Sequence, residues 1–153
     1  MTINYVLSPN QPVKQLLDWQ SADPKHFFLL KKADGMNALL LPGAQATANF
    51  SSPLQYQSLQ VGSDLTGTFV YQIDFKYSHD NDQTLQKLLG DNAVMAGDIK
   101  GKASGVIWTF WDSQKAINDF VTGKTFESLQ SLIQEPYTIF YRRVMTMDDM
   151  DEV

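Results

Sequence analysis

Few side chains in this sequence have the type and spacing that chemistry requires. His79 stands beside Asp80 and Asp82 in the segment Ser78-His79-Asp80-Asn81-Asp82. An imidazole with two carboxylates is the donor set of a small metal site. The same residues suit a polar turn that runs into a helix cap, and that is the expected role. His26 opens an apolar strand and reads as a strand-end residue. Asp74 lies mid-strand near Lys76. It becomes interesting as a base only if burial raises its pKa, and the expected arrangement is an exposed Asp74–Lys76 pair. There are no cysteines, which excludes disulfides, thiolate catalysis and Cys-based zinc or iron–sulfur centres. No Gly-rich phosphate loop, G-x-G-x-x-G or Ser-His-Asp arrangement is visible. What remains is aromatic, and it is concentrated in Gly105–Gln130, GVIWTFWDSQKAINDFVTGKTFESLQ.

Charge narrows the partners. Twelve Lys and Arg face 17 Asp and Glu, a net charge of −5. Asp148, Asp149, Asp151 and Glu152 account for four of those five charges, so the body is close to neutral. Without a basic stripe, no nucleic-acid partner is expected. Residues 147–153 read as a solvated acidic tail. The opening MTINYVLSPN lacks a basic region followed by an apolar run, so no signal peptide is expected. No apolar run approaches the ~20 residues of a membrane span. The expected location is the cytoplasm.

These aromatics must be positioned by regular elements. Ile3–Leu7 is a strand. Asn10 offers a helix cap and Pro12 suits the first turn, with Val13, Leu16 and Leu17 on one face. His26–Lys32 and Asn37–Leu41 flank Asp34-Gly35 and predict a hairpin. Pro42–Ser52 reads as a loop, and Leu54, Tyr56 and Leu59 as a further strand. Gly67 marks a break. Phe69 to Tyr77 then alternates with period two, a half-buried strand. Leu85, Leu88 and Leu89 form a helical stripe. Val94–Lys100 and Val106–Trp111 are strands. Asp112 or Ser113 caps a helix whose buried face is Ala116, Ile117, Phe120 and Val121. Gly123 interrupts it, Phe126, Leu129, Leu132 and Ile133 continue it, and Pro136 ends it before a last strand, Tyr137–Val144. From Gly67 the order is β-α-β-β-α-β, the ferredoxin-like unit, with residues 1–66 as an extension packed on it and 67–146 as the main domain.

Two helices cover one face of a four-stranded sheet. In Val106–Trp111 both faces are apolar: Val106, Trp108 and Phe110 on one, Ile107 and Trp111 on the other. An antiparallel strand with one wet face alternates cleanly, and this one does not. Burying two extra aromatic side chains stabilises by roughly 3–6 kcal/mol. The expected cover is a second copy, so Val106, Trp108 and Phe110 are the candidate face of a homodimer. The other cover is residues 1–66, folded back within one chain.

Phe28–Lys32, Ala38–Leu41, Ser52–Tyr56 and the Gly105–Gln130 block, taken as an ordered set, resemble a branch of the antibiotic-biosynthesis-monooxygenase superfamily of low-GC Gram-positive bacteria. This branch contains TRAP-type signal-transduction proteins and a related haem-degrading monooxygenase. The resemblance implies an α+β fold, a ferredoxin-like dimeric α+β barrel with an N-terminal α/β extension. It also implies where a site would lie. Haem-degrading relatives carry an Asn, a Trp and an iron-ligating His. The positions that match are Tyr71 (or Gln72 with a one-residue slip), Phe120 and Gln130. An amide is a poor iron ligand, so no cofactor is expected, haem included. Tyr71, Gln72, Trp111, Phe120 and Gln130 remain as candidates to line a pocket for a small apolar or aromatic ligand. The resemblance therefore implies a non-catalytic or vestigial homodimer with a regulatory or ligand-binding role. The alternative is a monooxygenase-like enzyme that oxidises a small aromatic substrate without a cofactor or, as the less favoured form, degrades haem.

Overall fold

The computed structural model describes residues 2–43, 50 and 53–150. Its strands are β1 (Thr2–Leu7), β2 (Phe28–Lys31), β3 (Asn37–Leu41), β4 (Leu54–Val61), β5 (Phe69–Lys76), β6 (Ala93–Asp98), β7 (Ser104–Trp111) and β8 (Gln134–Arg143). Its helices are α1 (Val13–Ala22), α2 (Asp82–Leu88), α3 (Gln114–Val121) and α4 (Lys124–Gln130). The strands close into one antiparallel barrel in the order β1-β3-β2-β8-β5-β7-β6-β4, with β4 returning to β1.

Two halves make this ring. Around the circumference run β4-β1-β3-β2 and then β8-β5-β7-β6. Each half thus places its own strands fourth, first, third, second, which is the ferredoxin-like order. The halves join at two seams. At one, β4 pairs with β6 from Tyr56–Asp98 to Val61–Val94, with a bulge between Ser58 and Gln60. At the other, β2 meets β8 only at Leu30–Arg143 and Lys31–Arg142. The loop expected over Pro42–Ser52 lies mostly outside the described residues.

Closure creates three cores. The barrel interior holds Ile3, Tyr5, Phe28, Leu30, Leu40, Val70, Val94, Val106, Trp108, Phe110 and Tyr141, among others. Eight strands enclose a space that side chains just fill. Trp108 sits at its centre with no exposed surface, edge-on to Tyr5 at 5.8 Å and to Tyr56 at 5.9 Å. Outside the N-terminal half, α1 packs Leu16 and Leu17 on Val6, Leu29, Leu39 and Leu41. Outside the C-terminal half, α2 and α4 pack Leu85, Phe126 and Leu129 on Ile73, Phe75, Met95 and Ile107.

Several expectations change. Val106, Trp108 and Phe110 do not form a dimer face: β1–β4 cover them within the same chain, and all three are buried. The apolar double face of β7 was real, but the cover came from residues 1–66. The same closure buries both faces of β5, which was expected to be half-exposed: Val70, Gln72 and Ile73 are all buried. Pro12, not Asn10, occupies the N-cap position of α1, and no side chain there makes a capping bond. Pro136 does not end a helix. It sits inside β8 at the bulge where the pairing with β5 shifts between Asp74 and Lys76, and β2 does not reach its other side. Elsewhere the local signals hold. Gly35 takes a positive φ of 89° in the β2–β3 turn, and Ser113 Oγ caps α3 by accepting from the Ala116 N–H at 3.1 Å.

Candidate ligand cleft

The helix-facing side of β7 presents Ile107, Thr109 and Trp111, opposite the side that fills the barrel. Two devices place Trp111. Gly67 lies against its backbone so closely that an added Cβ would come within 2.4 Å of the Trp111 nitrogen. The indole Nε1–H donates to Thr109 Oγ1 at 2.7 Å, and Thr109 Oγ1 donates in turn to the Tyr71 carbonyl at 2.9 Å. Phe120, on α3, meets the Trp111 ring at 4.9 Å between centroids and stacks on Phe126 at 5.2 Å. Beside this stack a cleft of about 220 Å³ opens, lined by Leu88, Leu89, Thr109, Trp111 and Phe120, with Asn92 and Thr125 as its further polar side chains.

No side chain lining this cleft ionises in the physiological range. The hydroxyl of Thr109 is already engaged as donor and acceptor. A second, larger hollow of about 330 Å³ shares Trp111 and Asn92 with the cleft and is lined by Asp64, Asp91 and Asp112. That neighbouring hollow is acidic and disfavours anions.

Of the five pocket residues expected from the sequence, only Trp111 and Phe120 line the cleft. Tyr71 contributes its carbonyl through Thr109, and its partly buried ring packs in the outer core. Gln72 is a correction. It faces the barrel interior, where its Oε1 accepts from Trp108 Nε1 at 2.8 Å and its Nε2 donates to Asp74 Oδ2 at 3.1 Å. Gln130 is another. As the last residue of α4 it is exposed and does not line the cleft. The expected Asp74–Lys76 pair does not form: Lys76 Nζ meets Glu135 at 2.8 Å, and burial pushes the Asp74 pKa up.

The residues of the cleft do not fit a haem. They offer no imidazole, thiolate, thioether or phenolate, and a macrocycle exceeds the space. Neither histidine lines it. His26 Nδ1 lies 2.8 Å from Asp23 on the surface. His79 Nε2 donates to the Lys102 carbonyl at 2.5 Å, and its Nδ1 lies 3.0 Å from the Tyr77 hydroxyl, which also bonds Asp82. Among the described residues no group of three His, Asp or Glu could hold a metal ion.

Sequence reasoning missed Leu88, Leu89, Asn92 and Thr125 as lining residues. The first two were legible as a helical stripe, but a stripe does not say which of its members stops short of the sheet.

No family model and no curated protein matches the chain. Solved structures do. A major regulator of staphylococcal pathogenesis aligns over 94% of this chain and 99% of its own, with a TM-score of 0.65 and 15% identity. A ferredoxin fold protein related to antibiotic biosynthesis monooxygenases, from Listeria monocytogenes, aligns over 94% of this chain and 94% of its own, with a TM-score of 0.67 and 13% identity. A monooxygenase-like protein from Listeria innocua aligns over 95% of this chain and 94% of its own, with a TM-score of 0.68 and 12% identity. A heme-degrading enzyme from Listeria monocytogenes aligns over 93% and 99%, with a TM-score of 0.67 and 11% identity. Because these alignments span nearly the whole chain, the likeness includes β1–β4. At such identities it concerns the fold. No helix among the described residues is long and apolar enough to cross a membrane.

Proposed function

We propose that this protein is a non-catalytic, regulatory member of its fold group that binds a small, uncharged apolar or aromatic molecule in the cleft beside Trp111. The observation that carries this reading is the lining itself. It is apolar and aromatic, with no acid, base or iron ligand. General acid–base and haem-iron chemistry both need such a group within reach of the reacting atom. A space of about 220 Å³ lies below the ~300–1,000 Å³ of drug-sized sites, so one or two rings fit. The neighbouring acidic hollow lined by Asp64, Asp91 and Asp112 supports a neutral ligand over a carboxylate. The resemblance to a staphylococcal regulator is consistent with this, and the monooxygenase-like neighbours keep a second reading in view. Cofactor-free oxidation of an electron-rich phenol would have to rely on Thr109, Asn92 and Thr125. Self-association is not needed to close the barrel, so a homodimer would use an outer surface.

Two assays separate the readings. Titration with haemin is expected to give no sharp Soret band. Incubation with oxygen and a panel of hydroquinones is expected to give no protein-dependent oxygen uptake. Uptake that Trp111→Ala abolishes would establish the oxidase instead.

A further inference from the structure

The barrel has a second chemical feature, on the opposite face of the sheet from the cleft. Asp74 sits near the end of β5 on the face that carries Val70 and Gln72 into the interior. Its cross-strand neighbours are Val106 on β7 and Tyr137 on β8. Side chains paired this way stand about 5 Å apart at Cβ. Tyr56 belongs to the same interior: its ring stands edge-on to Trp108 at 5.9 Å, and the Trp108 indole is joined to Asp74 through Gln72. Burial and the Asp74 charge push the Tyr56 hydroxyl pKa up to about 12. Tyr56 and Asp74 are partly buried and Tyr137 is 64% exposed, so solvent still reaches this end of the barrel.

The donors around Asp74 are few, and their direction is fixed. The Trp108 indole can only donate, so the Gln72 oxygen must face it and the Gln72 N–H must face Asp74. Among the described residues that is the one hydrogen bond to the Asp74 side chain, and Asp74 makes no ion pair with any of them. The nearest cation in sequence, Lys76, turns to Glu135. Asp98, paired with Tyr56 across β6 and β4, is held by the backbone N–H groups of Lys100 and Lys102. A carboxylate left without a counter-charge at a half-buried position is costly, and the raised Asp74 pKa is its sign. The missing complement is a positive charge with an apolar envelope, because phenol faces attract cations that are weakly hydrated.

We propose that the barrel mouth formed by Asp74, Tyr56 and Tyr137 binds a small organic cation of the alkylammonium class, its charge against the carboxylate and its methyl or methylene groups against the two rings.

The test is an amide-resolved NMR titration of the full chain with tetramethylammonium chloride, with sodium chloride at equal ionic strength and tert-butanol as controls. The expected result is saturable shifts at Tyr56, Asp74 and Tyr137 with tetramethylammonium only. Asp74→Asn, which keeps the side chain's shape, should weaken binding about tenfold or more, and Tyr137→Ala severalfold. Phe140→Ala, on the outer side of β8, should leave it unchanged. The proposal is overturned if the shifts follow ionic strength alone or if tert-butanol reproduces them. It is equally overturned if Asp74→Asn retains the affinity, or if the shifts gather at Trp111 and Phe120.

Discussion

Two ionisable residues make the protein's stability fall as pH rises, each in its own window. Asp74 has a folded-state pKa raised by burial. Between its unfolded and folded pKa values the folded state holds the extra proton, so stability falls as pH rises through that window. Asp74→Asn removes the penalty. It should raise the melting temperature at pH 7 and give no gain near pH 3, where both states are protonated. His79 acts in the same direction at higher pH, as a favourable interaction lost and not a penalty gained. Its pKa is raised first by the bond to the Lys102 carbonyl and then by Asp82, against a lowering from burial. Its contribution is fully present below the unfolded value of about 6.5 and is lost as pH rises through the folded one. His79→Ala should therefore be less stable than the parent at pH 5 and nearly equal to it at pH 9, measured by thermal melts across that range. Tyr77, Asp82 and Asp98 are the other titratable groups around this ring. The sequence showed His79 in a polar turn. It did not show the carbonyl of Lys102, brought to it by the β6–β7 turn.

Elements owe their placement to a few buried polar bonds as much as to apolar faces. Helix α1 is fixed to the barrel by Gln20. Its oxygen accepts from the Leu29 N–H at 2.8 Å and from Arg143 Nε at 3.2 Å, and its nitrogen donates to the Val144 carbonyl at 2.7 Å. Arg143 is buried over the Phe28 ring at 4.6 Å, and burial lowers its pKa to about 10. With Gln20→Leu, Arg143 loses an acceptor and two backbone groups lose partners. The expected cost is about 3 kcal/mol in chemical denaturation. Local signals found most elements. The 3.6 spacing of Ile117, Phe120 and Val121, the Ser113 cap and the Gly123 break gave α3 and the start of α4 nearly to the residue, but Leu132 and Ile133, read as helix, lie beyond the end of α4 at Gln130. They failed at β8, where Pro136 was taken for a helix stop. A proline inside a strand is tolerated at an edge or a bulge, and Pro136 falls where the β5–β8 register shifts between Asp74 and Lys76, a pairing set by residues some sixty positions away. Gln72 failed for a related reason. Its direction follows from facing Trp108 across β5 and β7, a register that no local pattern states.

At the scale of the whole molecule, one chain builds a barrel from two ferredoxin-like halves. The greasy second face of β7 announced that something must cover it, but composition could not choose between another copy and residues 1–66. The choice rests on the pairing of β4 with both β1 and β6, contacts distant in sequence. A fragment beginning at Gly67 should therefore expose Trp108, bind an apolar dye and self-associate, whereas the full chain should do neither of the first two. Light scattering and dye fluorescence measure both. A closed, filled barrel also confines ligand chemistry to its outer cleft and its mouth. The most direct test of the cleft is a methyl-resolved NMR titration of the full chain, in air, with a neutral naphthalene-sized aromatic. The account predicts saturable shifts at the methyl groups of Leu88, Leu89, Thr109 and Thr125, unmoved methyls at Val106 and Leu40, and an unaltered ligand. Shifts that never saturate, or a ligand recovered as an oxidised product, would contradict it.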